Sequence, residues 1–414
     1  MLYFLLKVIF KVALKVFYRR VVVKQAQNIP PRGPLLVVSN HPNTFMDPIV
    51  IASLLPQEVY FIAKSTVFKS PVTNWLLHQM NLIPVNRKED GVAPADSNHA
   101  TFQKCYEFLR AQGTLLIFPE GNSFNERRLR PLKTGSARIA LGAAAQTDFT
   151  QEIYLLPVGL NYSDPTRFRS EVLVNIAAPV PVSDFAGLYR QDPAQAYYAL
   201  TDRIRAVLEE QVIHTTSTED DELVRQIEVV YKSRLLADLG RERNPVEDFA
   251  VTRLIVDSLR YFKNCEPERV IRIRQQIDAY LRQLKRLHLK DQFFFDNRGK
   301  RHLGRWLFSA GVYLLLGLPV YIYGLLTNYL PYIIPAKVAQ ALTEEEEFIA
   351  PILMTTGIFT FPLFYGVQLY GVYYFTHSAL ITFLFGLSLP AAGFWVRWYY
   401  QKLTATIAYL KLLA

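Results

Sequence analysis

Apolar residues follow several distinct rhythms along this chain. Between residue 35 and about residue 184, short apolar runs at 35–38, 58–63, 114–118, 153–160 and 172–176 alternate with helical stretches such as 98–110 and 136–145. Runs of this length, opened or closed by glycine and proline as Gly33-Pro34 opens the first, read as buried strands. Strands that alternate with helices predict a layered α/β domain, here placed at residues 25–190.

From about Pro193 the pattern turns helical and charged, and it predicts helices at 194–212, 222–239, 245–262 and 267–287 within an extension spanning 191–297. The third carries its own start signal: Asn244 as N-cap, Pro245 at the first helical position and Glu247 able to bond back. Beyond it, residues 306–332, 348–375 and 378–396 form apolar runs of at least nineteen residues, each long enough to cross a hydrocarbon core. Residues 298–414 therefore read as a transmembrane region.

The first 24 residues read as an amphipathic helix on a membrane surface. Lys7, Lys11, Lys15 and Arg19 recur every fourth residue and form one stripe, with Leu5, Val8, Ile9, Val12, Val16 and Phe17 around the rest. Three lysines interrupt what a secretory signal would need as an apolar core, and a spanning helix would bury them at about 2.5–3.5 kcal/mol each.

Charge adds a partner class. The 414 residues carry a net charge of +10 and 50% hydrophobic residues. A basic excess suits nucleic acid or an anionic lipid surface, and the apolar tail favours lipid, so no nucleic-acid partner is expected. Cys105 and Cys265 are too few for a metal cluster or disulfide framework and read as small buried residues of a reduced compartment. His78, His99, His214, His288, His302 and His377 lack ligand-like spacing and read as structural or surface residues.

The remaining histidine is different. His41 follows the first strand run, and Asp47 stands six positions on in Ser39-Asn40-His41-Pro42-Asn43-Thr44-Phe45-Met46-Asp47. Imidazole titrates near neutrality and can take a proton from an alcohol, while a fixed carboxylate selects its tautomer and stabilises the imidazolium. Three further blocks follow in order. They are Tyr60-Phe61-Ile62-Ala63-Lys64 with Ile83-Pro84-Val85-Asn86-Arg87, then Ile117-Phe118-Pro119-Glu120-Gly121, then Leu155-Leu156-Pro157-Val158-Gly159.

This series resembles the four sequence blocks of the glycerolipid acyltransferases, which include glycerol-3-phosphate and lysophosphatidic acid acyltransferases. The resemblance covers about residues 35–181. It implies that His41 is the general base and Asp47 its orienter, and that a glycerol hydroxyl attacks the thioester of an acyl-CoA or acyl carrier protein with no metal or other cofactor. It also implies acceptor binding by Glu120 and Gly121, with Arg87, Lys64, Lys133 and Asn43 as further substrate-binding residues. Pro131, Lys133 and Gly135 keep the family spacing from Glu120.

Two departures stand out. Five residues separate His41 from Asp47 where the family usually has four, a variant that resembles fungal-type glycerol-3-phosphate acyltransferases with an Asn two places after the His. Ser123 stands where the family commonly has a phosphate-binding arginine. Arg127, Arg128, Arg130, Arg167 and Arg169 are replacement candidates beside Arg87 and Lys133, since guanidinium groups donate paired hydrogen bonds to phosphate.

The resulting expectation is α/β: a layered acyltransferase domain, a mixed sheet flanked by helices, followed by a helical bundle and C-terminal transmembrane helices. The bundle reads as a spacer or as an acyl-donor docking module. The implied activity is membrane-bound transfer of a fatty acyl group to glycerol 3-phosphate or 1-acylglycerol 3-phosphate at a phospholipid membrane. A catalytically inactive lipid-binding or scaffold protein on the same fold is the alternative. Arg298, Lys300, Arg301 and Arg305 precede the first apolar run, and Lys337 with the acidic stretch 344–347 follows it. By the positive-inside rule the catalytic domain is then cytoplasmic, on a bacterial inner membrane or the endoplasmic reticulum. Arg397, Lys402 and Lys411 favour the same side, which requires an even number of crossings. One of the three runs is then re-entrant or residues 403–413 add a fourth, for two to four crossings.

Overall fold

The computed structural model describes residues 2–68, 70–86, 99–286 and 303–413. Arg87 lies outside the described residues, as do His288, Arg298, Lys300, Arg301 and His302. The chain divides into two compact units, the first comprising Met1–Glu222, Glu242–Val256 and Glu345–Pro351.

The centre of the first unit is a mixed sheet. Strand β2 (Leu35–Ser39) lies between β5 (Thr114–Ile117) and β6 (Tyr154–Tyr162) and is parallel to both. On the far side of β5 follow β3 (Val59–Lys64) and the edge strand β4 (Leu82–Val85), again parallel. On the other side β7 (Glu171–Ile176) pairs antiparallel with β6 and parallel with the opposite edge strand β1 (Arg20–Lys24), while the short β8 (Val180–Pro181) also joins β6. Both edge strands went unforeseen, and β1 falls within the segment expected as a surface helix. β4 contains Pro84, which a strand tolerates at an edge because no ladder hydrogen bond is required of its nitrogen.

Alternation along the strands divides the sheet into two covered faces. Leu36, Val38, Leu115 and Leu155 form one core with α4 (His99–Arg110), α5 (Gly135–Ala145) and α7 (Pro193–Gln211), through Leu109, Ile139, Ala196, Leu200, Ile204 and Leu208. Leu35, Val37, Leu116 and Leu156, which point the other way, are equally buried. Helix α7 therefore belongs to the sheet's own layer, although residues 191–211 were expected in an appended extension. It opens on an N-cap the sequence reading missed: the Asp192 carboxylate accepts the amides of Ala194 and Gln195, with Pro193 at the first position.

Helix α1 (Leu2–Phe17) packs on α2 (Met46–Leu54). Its basic stripe is not uniformly exposed: Lys7 donates to the carbonyls of Leu55 at 2.7 Å and Gln57 at 3.1 Å, and burial lowers its pKa. The solvent side of α1 is instead apolar and basic together, with Phe4, Leu5, Val8, Val12 and Val16 exposed beside Lys11 and Lys15. Helices α3 (Pro71–Gln79) and α6 (Ala186–Gln191) complete the unit's short elements.

Helices α8 (Thr218–Asp238), α9 (Pro245–Cys265) and α10 (Pro267–Arg286) occupy the stretches expected to be helical. The Asn244 side chain accepts the amides of Val246 and Glu247, as its N-cap signal predicts. In the second unit Gln226 of α8 donates to Asp278 of α10 at 2.8 Å. Cys105 is buried, but Cys265, expected to be buried too, is exposed at the last position of α9.

Among the described residues, three helices are long and apolar enough to cross a membrane: α11 (Leu303–Leu342), α12 (Glu346–Thr376) and α13 (Ala379–Leu413). Residues 403–413 continue α13 and form no separate fourth helix. Asn328 is the polar centre of these helices. Its amide donates to the carbonyls of Gly324 and Leu389, and its oxygen accepts the Tyr365 hydroxyl at 2.5 Å, so one buried side chain touches all three. Where lipid offers no hydrogen bonds, such contacts and close backbone approach at small residues hold helices together. A Cβ on Gly324 would stand 2.6 Å from the Ala392 carbonyl oxygen.

Candidate active site

Strands β2, β5 and β6 run parallel, so their carboxyl ends share one edge of the sheet, where open α/β folds place ligands. The His41 turn leaves β2 there, the Glu120 turn leaves β5, and Tyr162 ends β6. Asn40 ties the first to the third, its amide donating to the Leu160 carbonyl at 2.9 Å and its oxygen accepting the Leu160 amide at 2.8 Å.

His41 Nδ1 stands 2.8 Å from Asp47 Oδ2, so the two side chains meet despite the added residue between them. Asp47, in the first turn of α2, is 0% exposed, whereas the imidazole is 18% exposed and stacks on Phe118 with ring centres 3.9 Å apart. Asp47 Oδ2 also accepts the Asn43 amide at 2.7 Å, and Oδ1 accepts the Tyr162 hydroxyl at 2.6 Å. Three donors thus converge on one buried carboxylate. With the Nδ1 proton directed at Asp47, Nε2 is the nitrogen of the neutral ring that can receive a proton.

Within the stretch between His41 and Asp47, Thr44 takes a φ of 32°. Its amide donates to Ser123 Oγ at 2.9 Å and its hydroxyl to the Glu347 carbonyl at 2.8 Å. Asn125 also donates to Glu346 Oε2. The acidic stretch after the first apolar run, which the charge rule separates from the α/β domain by a crossing, is thus in part a component of the first unit. Glu345–Pro351 falls within that unit, and an acid already engaged by Asn125 is a poor guide to membrane orientation.

Glu120 faces inward. One carboxylate oxygen accepts the His41 amide at 3.0 Å and the other the Arg130 amide at 3.0 Å, so the acid expected to hold an acceptor pins the backbone of two loops. Burial raises its pKa, against the lowering effect of the Arg130 and His41 amides. Gly121 takes a φ of +82°, and a Cβ there would stand 2.8 Å from Lys133 Nζ, which places Lys133 over the Glu-Gly turn.

The remaining candidates scatter. Lys64 ends β3 on the same sheet edge, exposed and one strand beyond β5. Asn43 is fully buried, its side-chain Nδ2 donating to the Pro165 carbonyl at 2.9 Å. Arg130 pairs with Glu126 at 2.8 Å and lies over the Phe124 ring, Arg127 faces Asp221 and Arg128 faces Glu126. Arg169 reaches the carbonyls of Val16 and Tyr18 at the end of α1. Arg167 is exposed on the loop whose Pro165 carbonyl holds Asn43. Tyr162, Thr44 and the roles of Ser123 and Asn40 were missed. Only the Asn-His pair after a strand hinted at any of them.

Residues 20–161 match the model of the Acyltransferase family. Glycerol-3-phosphate O-acyltransferase 2 of Saccharomyces cerevisiae is 22% identical over 68% of this chain and 51% of its own length. A chloroplastic 1-acyl-sn-glycerol-3-phosphate acyltransferase of Brassica napus is 30% identical over 28% of this chain and 33% of its own. The chain thus spans about half the length of the yeast relative and a third of the plant one. A solved 1-acyl-sn-glycerophosphate acyltransferase of Thermotoga maritima overlaps 50% of this chain and 77% of its own, at a TM-score of 0.36 and 23% identity. The sheet edge that carries His41, Asp47 and Glu120 therefore lies in a domain of the acyltransferase family.

Proposed function

We propose that this chain is a membrane-bound O-acyltransferase that moves a fatty acyl group from acyl-CoA or acyl carrier protein to a hydroxyl of glycerol 3-phosphate or 1-acylglycerol 3-phosphate in phospholipid synthesis. The observation that carries the reading is the 2.8 Å pair of a partly exposed His41 with a wholly buried Asp47. His41 Nε2 takes the hydroxyl proton as the oxygen attacks the thioester carbonyl. The C–O bond forms, the C–S bond breaks, and the proton passes from the imidazolium to the departing thiolate. Asp47 stabilises the imidazolium in between. His41 and Asp47 are the catalytic residues, with Gly121, Lys133, Lys64 and Arg87 assigned to substrate, and no metal or other cofactor takes part. The names of the yeast and plant relatives support these acceptors.

The membrane assignment is supported by three apolar helices and by the exposed apolar and basic side of α1. From the basic residues Arg298, Lys300, Arg301 and Arg305 before the first apolar run, the catalytic domain is assigned to the cytoplasmic face of a bacterial inner membrane or the endoplasmic reticulum. A small, mostly apolar cleft lined by Tyr3, Leu6, Lys7, Ile49, Ala52 and Ser53 lies beside α2, the helix that begins at the catalytic turn.

The test supplies membranes carrying the protein with labelled acyl-CoA or acyl carrier protein and each acceptor in turn. Ester formation by the wild type, lowered at least about 100-fold in His41→Ala, is expected for loss of a general base. Equal product from the two proteins would overturn the mechanism, and a wild type that binds lipid but forms no ester would indicate a scaffold.

A further inference from the structure

Tyr162 is separated from Asp47 by 115 positions, yet its hydroxyl donates to Asp47 Oδ1 at 2.6 Å. The other carboxylate oxygen already serves both His41 Nδ1 and the Asn43 amide. Those two donors sit on one atom and leave the carboxylate free to swing about it. A third donor on the second oxygen fixes the plane. We propose that Tyr162 is a positioning residue: its phenol sets the plane of the Asp47 carboxylate and so aims Oδ2 along the Nδ1–H of His41. This role rests on the acyl-transfer reading above.

The frame around Tyr162 is rigid enough for the task. It is the last residue of β6, paired with Val172 of β7, and the strand residue two places before it is clamped to Asn40, the neighbour of His41. Phenol and imidazole thus hang from adjoining strands. Tyr18 backs the Tyr162 ring with centres 5.8 Å apart, and its buried hydroxyl lies beside the Tyr162 phenol. Burial, with the charge of Asp47, holds the Tyr162 phenol well above its ordinary value of 10.0, and it stays a neutral donor wherever the enzyme would be assayed.

A residue that only filled space would leave turnover alone once the fold was kept. The test measures kcat and KM for both substrates in wild type, Tyr162→Phe, Asp47→Asn and the double variant, with His41→Ala as the reference for the functional reading. Tyr162→Phe should lower kcat by about 10-fold or more, as expected for loss of a hydrogen bond to a buried charge, with both KM values unchanged within about twofold. In the Asp47→Asn background the same change should cost little more, because two residues acting as a unit are not additive.

Wild-type kcat in Tyr162→Phe, or a full extra loss in the Asp47→Asn background, overturns the role while leaving the acyl-transfer reading intact. A wild type no more active than His41→Ala overturns that reading and this role with it. Should Tyr162→Phe not fold, fluorotyrosine at position 162 keeps the packing and alters only the donor. The proposal then requires kcat to change with fluorine count at constant KM, and an unchanged kcat overturns it.

Discussion

The Thr44 amide and the Ser123 hydroxyl, 2.9 Å apart, join the two places where this chain departs from the acyltransferase sequence blocks it resembles. Thr44, inside the five-residue stretch between His41 and Asp47, takes a positive φ. A short hydroxyl side chain at 123 meets it there. An arginine side chain at that position would have no acceptor to offer that amide.

Ser123→Ala therefore strands a buried amide, at a cost of about 1–3 kcal/mol. Turnover should fall by about 10-fold. Ser123→Arg, which restores the residue common in the family, should lose at least as much and gain no affinity for a phosphorylated acceptor. Steady-state kinetics with glycerol 3-phosphate check both; a lower KM in Ser123→Arg would show that the turn tolerates the change.

Glu120→Gln should act on turnover more than on acceptor binding. An amide has one oxygen, so its NH2 would confront either the His41 or the Arg130 amide, both of which donate. We expect kcat to drop by more than 10-fold while the acceptor's KM moves less. A rise in KM at constant kcat would instead make Glu120 a substrate ligand.

The same residue predicts a pH effect on stability. Burial holds the folded Glu120 pKa above its ordinary 4.5. The native state then binds this proton more tightly than the unfolded chain. Its contribution is full below the unfolded value, is lost as pH climbs through the folded value, and is flat above it. Melting temperatures across that window should decline in wild type relative to Glu120→Gln, and parallel curves would refute the shift.

The two cysteines should separate cleanly in alkylation. Burial pushes the Cys105 thiol up to about 12, whereas Cys265 is exposed. At pH 8 the native protein should take up one maleimide per chain, at Cys265, and a second only after unfolding. Labelled peptides identified by mass spectrometry decide this.

Among the apolar helices, Asn328→Leu should loosen the association of all three. It removes the acceptor of Tyr365 and the donor to Leu389, and polar contacts of this kind are worth about 0.6–2 kcal/mol. Gly324→Val should cost more, since its Cβ would collide with backbone. Unfolding in mixed detergent micelles measures both; equal midpoints for wild type and Gly324→Val would contradict the close packing.

Much of this architecture was legible because short Val, Leu and Ile runs between turns can be little else: β2, β3, β5, β6 and β7 fall within a few residues of their expected places. Helix α2 was hidden for a physical reason. Met46, Asp47, Val50, Ile51 and Ala52 are all buried, so it has little of the polar face that periodicity detects. β1 and β4 are four or five residues long and lie at the edges, where charge and proline are allowed. Within the site, His41, Asp47 and Glu120 could be found by order along the chain, whereas Tyr162 could not. Its contact is made by strand adjacency, and nothing within a few residues of Tyr162 announces it.

The bond from Thr44 to the Glu347 carbonyl bears on how the enzyme can be handled. The usual route to a soluble fragment of such a protein is to cut it before its greasy helices. Here that cut would keep every side chain with a chemical role and discard the peptide that pegs the turn between them. A truncated preparation that folds and still fails to turn over would be reporting the missing peg, not a missing lipid.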